Sequence, residues 1–197
     1  MTLPDRVRLP MSFDPAGLQR DLLALAADGW IRHFVPQNYE GDWSVLPLRG
    51  AAGKSHPIMM IYPDPTAKAF ADTPAMALCP HCRSAIAAFA CEVQYARLMR
   101  LAPGSRILEH RDHDLDADAG TARLHIPITT NPDVTFELNR LPVPMEPGSV
   151  WYLRLSDPHR VVNDGTTDRV HLVLDLTVNA WLHDLLAKAA AGHAFAG

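Results

Sequence analysis

Short segments of apolar or alternating residues fill most of the chain after residue 42, and prolines, glycines, asparagines and aspartates interrupt them. Alternation with a period of two is typical of strands that bury one face. The segments that we predict to be strands are DWSVLPL, PIMMIY, VQYARLMRL, SRILEH, ARLHIPIT, DVTFELN, SVWYLRL, HRVVN and RVHLVLDLTV. Strands this short and this regularly interrupted favour a sandwich or barrel over a parallel sheet with crossover helices.

Two stretches near the ends of the chain have helical spacing instead. In DPAGLQRDLLALAADGW, residues 14–30, leucines recur three or four positions apart, with Asp14 as the predicted cap and Pro15 in the first turn. In NAWLHDLLAKAAA, Asn179 is the predicted cap. The chain shows no repeat of 20 to 50 residues and no low-complexity linker. We therefore predict one mainly β domain over residues 1–197, flanked by an N-terminal and a C-terminal helix.

Composition narrows the class of protein. The chain has 197 residues, of which 48% are hydrophobic and 20% charged, as in ordinary globular proteins. Its net charge of −4 gives no electrostatic reason to expect nucleic acid or an acidic membrane surface as a partner. The sequence has neither an apolar run long enough to cross a bilayer nor an apolar N-terminal secretion signal, so we expect a cytoplasmic protein. The oligomeric state stays open.

The three cysteines include a CPHC motif, formed by Cys79 and Cys82. Such a pair occurs in redox proteins and in zinc sites. A thioredoxin-like fold would need alternating strands and helices, and zinc would need four ligands, with only His81 and Cys91 nearby in the sequence. The interpretation that we favour is the buried start of a helix, with the redox and zinc alternatives left open.

The segment ILEHRDHDL, residues 107–115, passes from a predicted strand into a loop and holds the only His-x-Asp in the chain, His110 and Asp112. On a strand these two side chains share one face, together with Asp114. A histidine and a carboxylate so placed can bind one cation. Asp114 is an alternative to Asp112 as the carboxylate ligand. The alternative is a solvated turn, because further aspartates follow in the loop.

Downstream residues favour the metal site. His159 begins the segment HRVVN about 50 residues later, and two histidines with one carboxylate form the facial triad of non-haem Fe(II) oxygenases. Such an oxygenase can draw electrons from a keto acid, whose far carboxylate needs a cationic partner. Arg169, at the start of the last strand, suits that clamp because a guanidinium meets a carboxylate in two parallel bonds. Arg123 and His125 share a strand face and can also point inward.

The motifs RLMRLAPGSRILEHRD, RLHIPI, PGSVWYL, PHRVVNDG and DRVHLVLD resemble, in order over residues 93–178, those of the aspartyl/asparaginyl β-hydroxylase family. The resemblance implies a double-stranded β-helix (jelly roll) and an Fe(II)- and 2-oxoglutarate-dependent dioxygenase that consumes O2; the family includes bacterial proline cis-4-hydroxylases. The chain has the carboxylate ligand that the animal enzymes lack and the bacterial ones have. The site residues that the resemblance implies are iron ligands His110, Asp112 and His159, cosubstrate contacts Arg169, His125 and Arg97 (Arg97 for cosubstrate or substrate), and the substrate contact Arg123.

We expect no catalytic side chain beyond the iron ligands. The expected reaction is hydroxylation of an aliphatic carbon in a small or peptidyl amino-acid unit, with an Asp- or Asn-type β-carbon favoured. The alternatives are a free proline-type amino acid and a non-catalytic cupin-like protein that binds a metal or small molecule. For several residues a structural role is the expectation: packing for His171, Trp43, Trp151 and Tyr152, a structural role for Asp175, and the surface for His33, His56, His113, His183 and His193.

Overall fold

The computed structural model describes residues 2–25 and 29–193. The strands are β1 (Arg6–Ser12), β2 (Ile31–Arg32), β3 (Tyr39–Glu40), β4 (Trp43–Ala51), β5 (Phe70–Asp72), β6 (Val93–Leu101), β7 (Ser105–His110), β8 (Thr121–Thr129), β9 (Val134–Leu138), β10 (Leu141–Pro142), β11 (Ser149–Leu153), β12 (His159–Asn163) and β13 (Arg169–Thr177). The helices are α1 (Pro15–Ala24), α2 (Pro57–Ile61), α3 (Pro80–Ala87) and α4 (Ala180–His193), with 3-10 turns at Pro36–Asn38, Pro74–Leu78 and Ala117–Ala119.

The strands form two antiparallel sheets that pack face to face. The large sheet has the order β1-β11-β8-β13-β6-β4-β2, with β5 beside β4, and the small sheet has the order β10-β9-β12-β7-β3. One buried cluster joins them, with Met99 and Val173 from the large sheet and Ile107, Phe136 and Val161 from the small sheet. This is a jelly roll, and the predicted fold class is confirmed.

The pleat of the large sheet separates an apolar face from a face that carries polar residues. On β13, Leu172, Leu174 and Leu176 belong to the apolar cluster that also contains residues of α1, α3 and α4. The alternate positions of β13 turn toward the small sheet, and of the four that are buried, three are polar: Arg169, His171 and Asp175. The large sheet is therefore held by its helices on one side and lines the interior of the barrel on the other.

The predicted helix caps are confirmed, whereas the strand assignment of PIMMIY was wrong and β1, β2, β3, β5 and β10 were missed. The Asp14 carboxylate accepts from two backbone amides of α1, and the Asn179 side chain accepts from the Leu182 amide at 3.0 Å. PIMMIY, predicted as a strand, is helix α2, which begins at a proline; a short apolar run does not distinguish a strand from a helix. β1 was not predicted, although Val7 and Leu9 alternate there with exposed or half-buried arginines.

The CPHC motif is a buried helix start, as predicted, since both cysteines are buried and α3 begins between them. Asp21 of α1 joins them: its carboxylate accepts from the Cys82 amide at 2.7 Å and lies 2.9 Å from His81 Nδ1. Sequence spacing could not reveal this partner, which lies about 60 residues away. The Asp21 carboxylate thus links α1 to α3 through the Cys82 backbone amide and the His81 ring.

Among the described residues, no helix has both the length and the apolar character that crossing a bilayer requires.

Leu172→Ala tests the packing of the large sheet on its helices. Leu172 is fully buried, and truncating such a leucine typically costs about 2–5 kcal/mol of unfolding free energy, because transfer energy is lost and a cavity remains. Urea denaturation measures the change. Leu23→Ala, at a side chain that is 84% exposed, is the matched control and should leave the midpoint nearly unchanged. Equal effects of the two substitutions would contradict this account of the core.

Candidate metal centre and cavity

Two histidines meet where β7 and β12 pair. His110 and His159 are directly opposite in the register of these antiparallel strands, and their ring centroids lie 4.3 Å apart. His110 Nδ1 donates to the Leu108 carbonyl at 2.7 Å, and His159 Nδ1 donates to the Asp157 carbonyl at 3.0 Å, since a carbonyl can only accept. In both rings the proton is therefore on Nδ1, and Nε2 keeps a lone pair for a ligand.

Asp112 completes the cluster. Its backbone amide donates to the Leu155 carbonyl at 2.8 Å, which fixes the loop that follows β7. One carboxylate oxygen lies 3.8 Å from His110 Nε2, and the other accepts from Arg123 Nη1 at 3.1 Å. The potential ligand atoms of His110, Asp112 and His159 all lie within 4.8 Å of one another. Asp114, the rival in the sequence, is exposed and outside this cluster.

The chemistry of the three donors fits a divalent transition-metal ion such as Fe(II). Burial and the neighbouring His110 lower the pKa of His159 to about 4, so its imidazole is neutral at ordinary pH, as ligation requires. Both rings are oriented by carbonyls behind them, the usual arrangement around metal-bound histidines. Two imidazoles and one carboxylate on a single side leave the opposite positions of a bound ion free.

The cluster opens into a cavity of about 500 Å3 between the two sheets. Its walls include all seven residues that the sequence predicts to bind metal, cosubstrate or substrate: His110, Asp112, His159, Arg97, Arg123, His125 and Arg169. The structure therefore brings all of them together, from five different strands and one loop.

One wall of the cavity is aromatic, and here the expectation for His33 was wrong. His33 is not a surface residue: its ring stacks on Trp43 with centroids 3.5 Å apart and planes 7° apart, and it lines the cavity. Burial, with Arg123 second, lowers the pKa of His33 to about 3, so the ring is neutral. Trp43 is buried as expected, yet it also faces the cavity, 6.4 Å from the His110 ring. The aromatic density of residues 30–43 was the available signal.

Asp175 joins two of the cavity arginines. Its carboxylate accepts from Arg123 Nε at 2.6 Å and Nη2 at 2.9 Å, and from Arg97 Nη1 at 2.7 Å. Burial alone would raise the pKa of Asp175, but the charges of Arg123 and Arg97 outweigh burial and hold it well below its usual range. Its expected structural role therefore has an electrostatic basis. Arg97 keeps Nε and Nη2 buried without a partner among the described residues.

Arg169 has no carboxylate partner in the described part of the chain. Its guanidinium is buried, donates from Nη2 to His171 Nδ1 at 2.9 Å and lies 5.8 Å from the Phe136 ring centroid. Burial lowers the pKa of Arg169 to about 9, which leaves the group charged at neutral pH. His125 lies on β8, the strand next to β13, and its Nε2 atom is also buried without a hydrogen-bond partner among the described residues. A buried cation such as Arg169, which no described carboxylate neutralises, is stabilised by an anionic ligand.

Comparisons with known proteins agree with this geometry. The aspartyl/asparaginyl beta-hydroxylase family model matches residues 16–178. The L-proline cis-4-hydroxylase of Rhizobium meliloti (strain 1021) is 26% identical over 178 residues; the alignment covers 89% of this chain and 62% of that enzyme, so the chain spans less than two thirds of the length of that relative.

Solved structures share the fold. A 2OG-Fe(II) oxygenase family oxidoreductase from Burkholderia pseudomallei superposes with a TM-score of 0.55 at 18% identity, covering 88% of this chain and 85% of its own. The viral collagen prolyl hydroxylase of Paramecium Bursaria Chlorella virus-1 gives 0.51 at 10% identity, covering 89% and 97%. A Pseudomonas putida prolyl-4-hydroxylase gives 0.50 at 16% identity, covering 89% and 94%. With the family model matching most of its length, this chain belongs to the aspartyl/asparaginyl β-hydroxylase family.

Proposed function

We propose that this protein is an Fe(II)- and 2-oxoglutarate-dependent dioxygenase that hydroxylates an aliphatic carbon of a small amino-acid substrate with a free carboxylate. The observation that carries the proposal is the cluster of His110, Asp112 and His159 in the same cavity as Arg169, a buried cation that no carboxylate of the described residues neutralises. The family, the named activity of the Rhizobium relative and the shared fold support it.

His110, Asp112 and His159 would hold the iron. Bound Fe(II), with 2-oxoglutarate and O2, supplies the oxidising power to hydroxylate an unactivated carbon, and the keto acid leaves as succinate and carbon dioxide. Arg123 keeps one oxygen of Asp112 occupied at 3.1 Å, so a single oxygen of this carboxylate is left for the ion.

Arg169 would bind the distal carboxylate of 2-oxoglutarate. The guanidinium has a free buried Nε, carries a charge that no described carboxylate neutralises, and faces the same cavity as the metal cluster. A carboxylate would supply the missing partner in a charge-assisted bond of high directionality. His125, whose Nε2 is also unpartnered, lies beside Arg169 on the same inward face and would contact the same cosubstrate.

The charges in the cavity favour a substrate with a free carboxylate. Arg97, Arg123 and Arg169 contribute three positive charges, and Asp112 and Asp175 contribute two negative ones. Of the other charged residues that line the cavity, Arg111 and Asp114 are exposed and of opposite sign, and Asp64 pairs with Lys54. The two charges of Fe(II) and the two of 2-oxoglutarate cancel, so one positive charge is left. We assign it to Arg97, since Nε and Nη2 have no hydrogen-bond partner in the described part of the chain while Nη1 is bonded to Asp175. An amino-acid carboxylate at Arg97, with Arg123 beside it, would neutralise this charge.

The carbon skeleton of the substrate would pack on the aromatic wall of His33 and Trp43. This flat neutral surface suits a compact aliphatic ring or chain, and the Rhizobium relative is named for activity on L-proline. A free proline-type amino acid is therefore the first substrate class to test, with the Asp- or Asn-type β-carbon predicted from the sequence as the second.

The reaction itself is tested by succinate release. Iron-loaded protein with 2-oxoglutarate and O2 is incubated with L-proline, L-aspartate, L-asparagine or short peptides, and succinate and hydroxylated product are quantified. We expect one free amino acid to stimulate succinate formation with an equal amount of hydroxylated product. The absence of both products with every amino acid and peptide would favour the non-catalytic binding protein.

His159→Ala tests the metal ligands. Removal of one of three protein donors should lower Fe(II) affinity by more than the roughly 10- to 100-fold typical of losing an outer-shell partner, and should abolish turnover. Bound iron by elemental analysis and the visible absorbance of the anaerobic iron–2-oxoglutarate complex measure this. His56→Ala, at an exposed histidine, is the control and should keep its iron. Full iron binding by the first variant would refute the ligand assignment.

Arg169→Ala tests the cosubstrate clamp. We expect 2-oxoglutarate to bind about 10- to 100-fold more weakly, because hydrogen bonds to a charged group contribute roughly 1.5–3 kcal/mol, while iron stays bound. Calorimetric titration with 2-oxoglutarate measures the affinity. Arg160→Ala, at an exposed arginine paired with Glu137, is the matched control. Unchanged affinity in the first variant would show that the clamp lies elsewhere.

Arg97→Lys tests the substrate carboxylate. Lysine keeps the positive charge beside Asp175 but removes the planar fork, so the KM for the amino acid should rise about 10-fold or more while the 2-oxoglutarate affinity stays the same. Steady-state kinetics with each compound varied in turn separate the two effects. Parallel loss of 2-oxoglutarate binding would assign Arg97 to the cosubstrate instead.

A further inference from the structure

A buried histidine, His171, contacts residues that face the main cavity but does not itself line that cavity. On β13, His171 follows Arg169 by two positions and shares its inward face. His171 is buried, yet it does not line the main cavity; it lines a separate cavity of about 400 Å3. The apolar residues around this second cavity include Val134, Val143 and Met145. His171 therefore does not face the metal cluster.

Arg169 lies between the two cavities and lines both of them, as does Phe136. Close packing on all sides normally fixes a buried side chain, but here space lies on either side of the guanidinium. The described contacts that hold it are the bond from Nη2 to His171 Nδ1, at 2.9 Å, and the ring of Phe136 at 5.8 Å. Because Phe136 borders both spaces, the hydrogen bond to His171 is the described polar contact that fixes the guanidinium at the boundary between them.

The protons of this network can be assigned. A guanidinium can only donate, so His171 Nδ1 is an acceptor, and the ring carries its proton on Nε2. His125 Nδ1 lies 3.3 Å from the same His171 atom, whose single lone pair already accepts from Arg169, so His125 can keep its proton on Nε2 for a ligand oxygen. Burial, followed by the charge of Arg169, lowers the pKa of His171 well below its usual value, which preserves the acceptor lone pair. His171 Nδ1 thus contacts two of the residues predicted to bind the cosubstrate, Arg169 and His125.

We propose that His171 is a positioning residue that tethers Arg169 at the wall of the main cavity and thereby sets the length of the dicarboxylic keto acid that the site accepts. This inference rests on the proposed function of Arg169. With the tether in place, the distance from the metal cluster to the guanidinium suits one chain length. Without it, the guanidinium is free to turn toward the second cavity, and a keto acid one methylene longer, 2-oxoadipate, gains room.

The test compares the affinities for 2-oxoglutarate and 2-oxoadipate, measured by anaerobic calorimetric titration of the iron-loaded chain. His171→Leu removes the acceptor, and we expect 2-oxoglutarate to bind about 10- to 100-fold more weakly, in line with the loss of a hydrogen bond to a charged group. The affinity ratio should shift toward 2-oxoadipate. His171→Gln places a carbonyl oxygen where Arg169 can donate, and should recover most of the wild-type affinity and ratio.

His183→Leu, at an exposed histidine of α4, is the matched control and should match the wild type. Iron content, measured in all variants, should not change, because His171 is not part of the metal cluster. An unchanged ratio in His171→Leu would overturn the proposal and leave His171 as packing. Failure of His171→Gln to recover affinity, with its iron content intact, would also overturn it. A wild-type protein that binds neither keto acid would overturn the proposed function itself.

Discussion

The interior of this barrel depends on the carboxylate of Asp175, which is bonded to two guanidinium groups that have almost no contact with solvent. Buried cations are tolerated only when a counter-charge and hydrogen bonds compensate for lost hydration. Asp175 does this for Arg123 and part of Arg97, and Arg123 in turn bonds Asp112. The charge that binds ligands and the charge that stabilises the fold therefore belong to one connected network.

The pleat of β13 makes that network possible. One face of the strand carries leucines that pack with the helices, and the other carries Arg169, His171 and Asp175 into the barrel. Adjacent strands follow the same rule, so that Arg123 lies opposite Asp175 and His125 lies opposite Val173. A single residue of slip in the register would turn the polar side chains into the apolar layer, which fixes the pairing strongly.

The sequence was enough to predict the jelly roll, both helix caps and the residues that meet in the cavity, because strand alternation and ordered motifs report directly on which side chains point inward. It was not enough for features that arise from tertiary contact. Residues 57–61 form a helix where the apolar run suggested a strand. The pairing of Asp21 with the CPHC motif and the contact of His171 with His125 join residues far apart in the sequence, and the stacking of His33 on Trp43 depends on how their loop packs.

The two sheets contribute different kinds of residue to the cavity. His110 and His159 lie on the small sheet and Asp112 follows it, whereas Arg97, Arg123, His125 and Arg169 all lie on the large sheet. The bond between Arg123 and Asp112 is the direct bridge between these two groups. Such a division lets inward positions of the large sheet diversify, and with them the compounds that are recognised, while the strands that carry the candidate metal ligands keep the same sequence. Ligand preference in this scaffold can thus evolve separately from its inorganic chemistry.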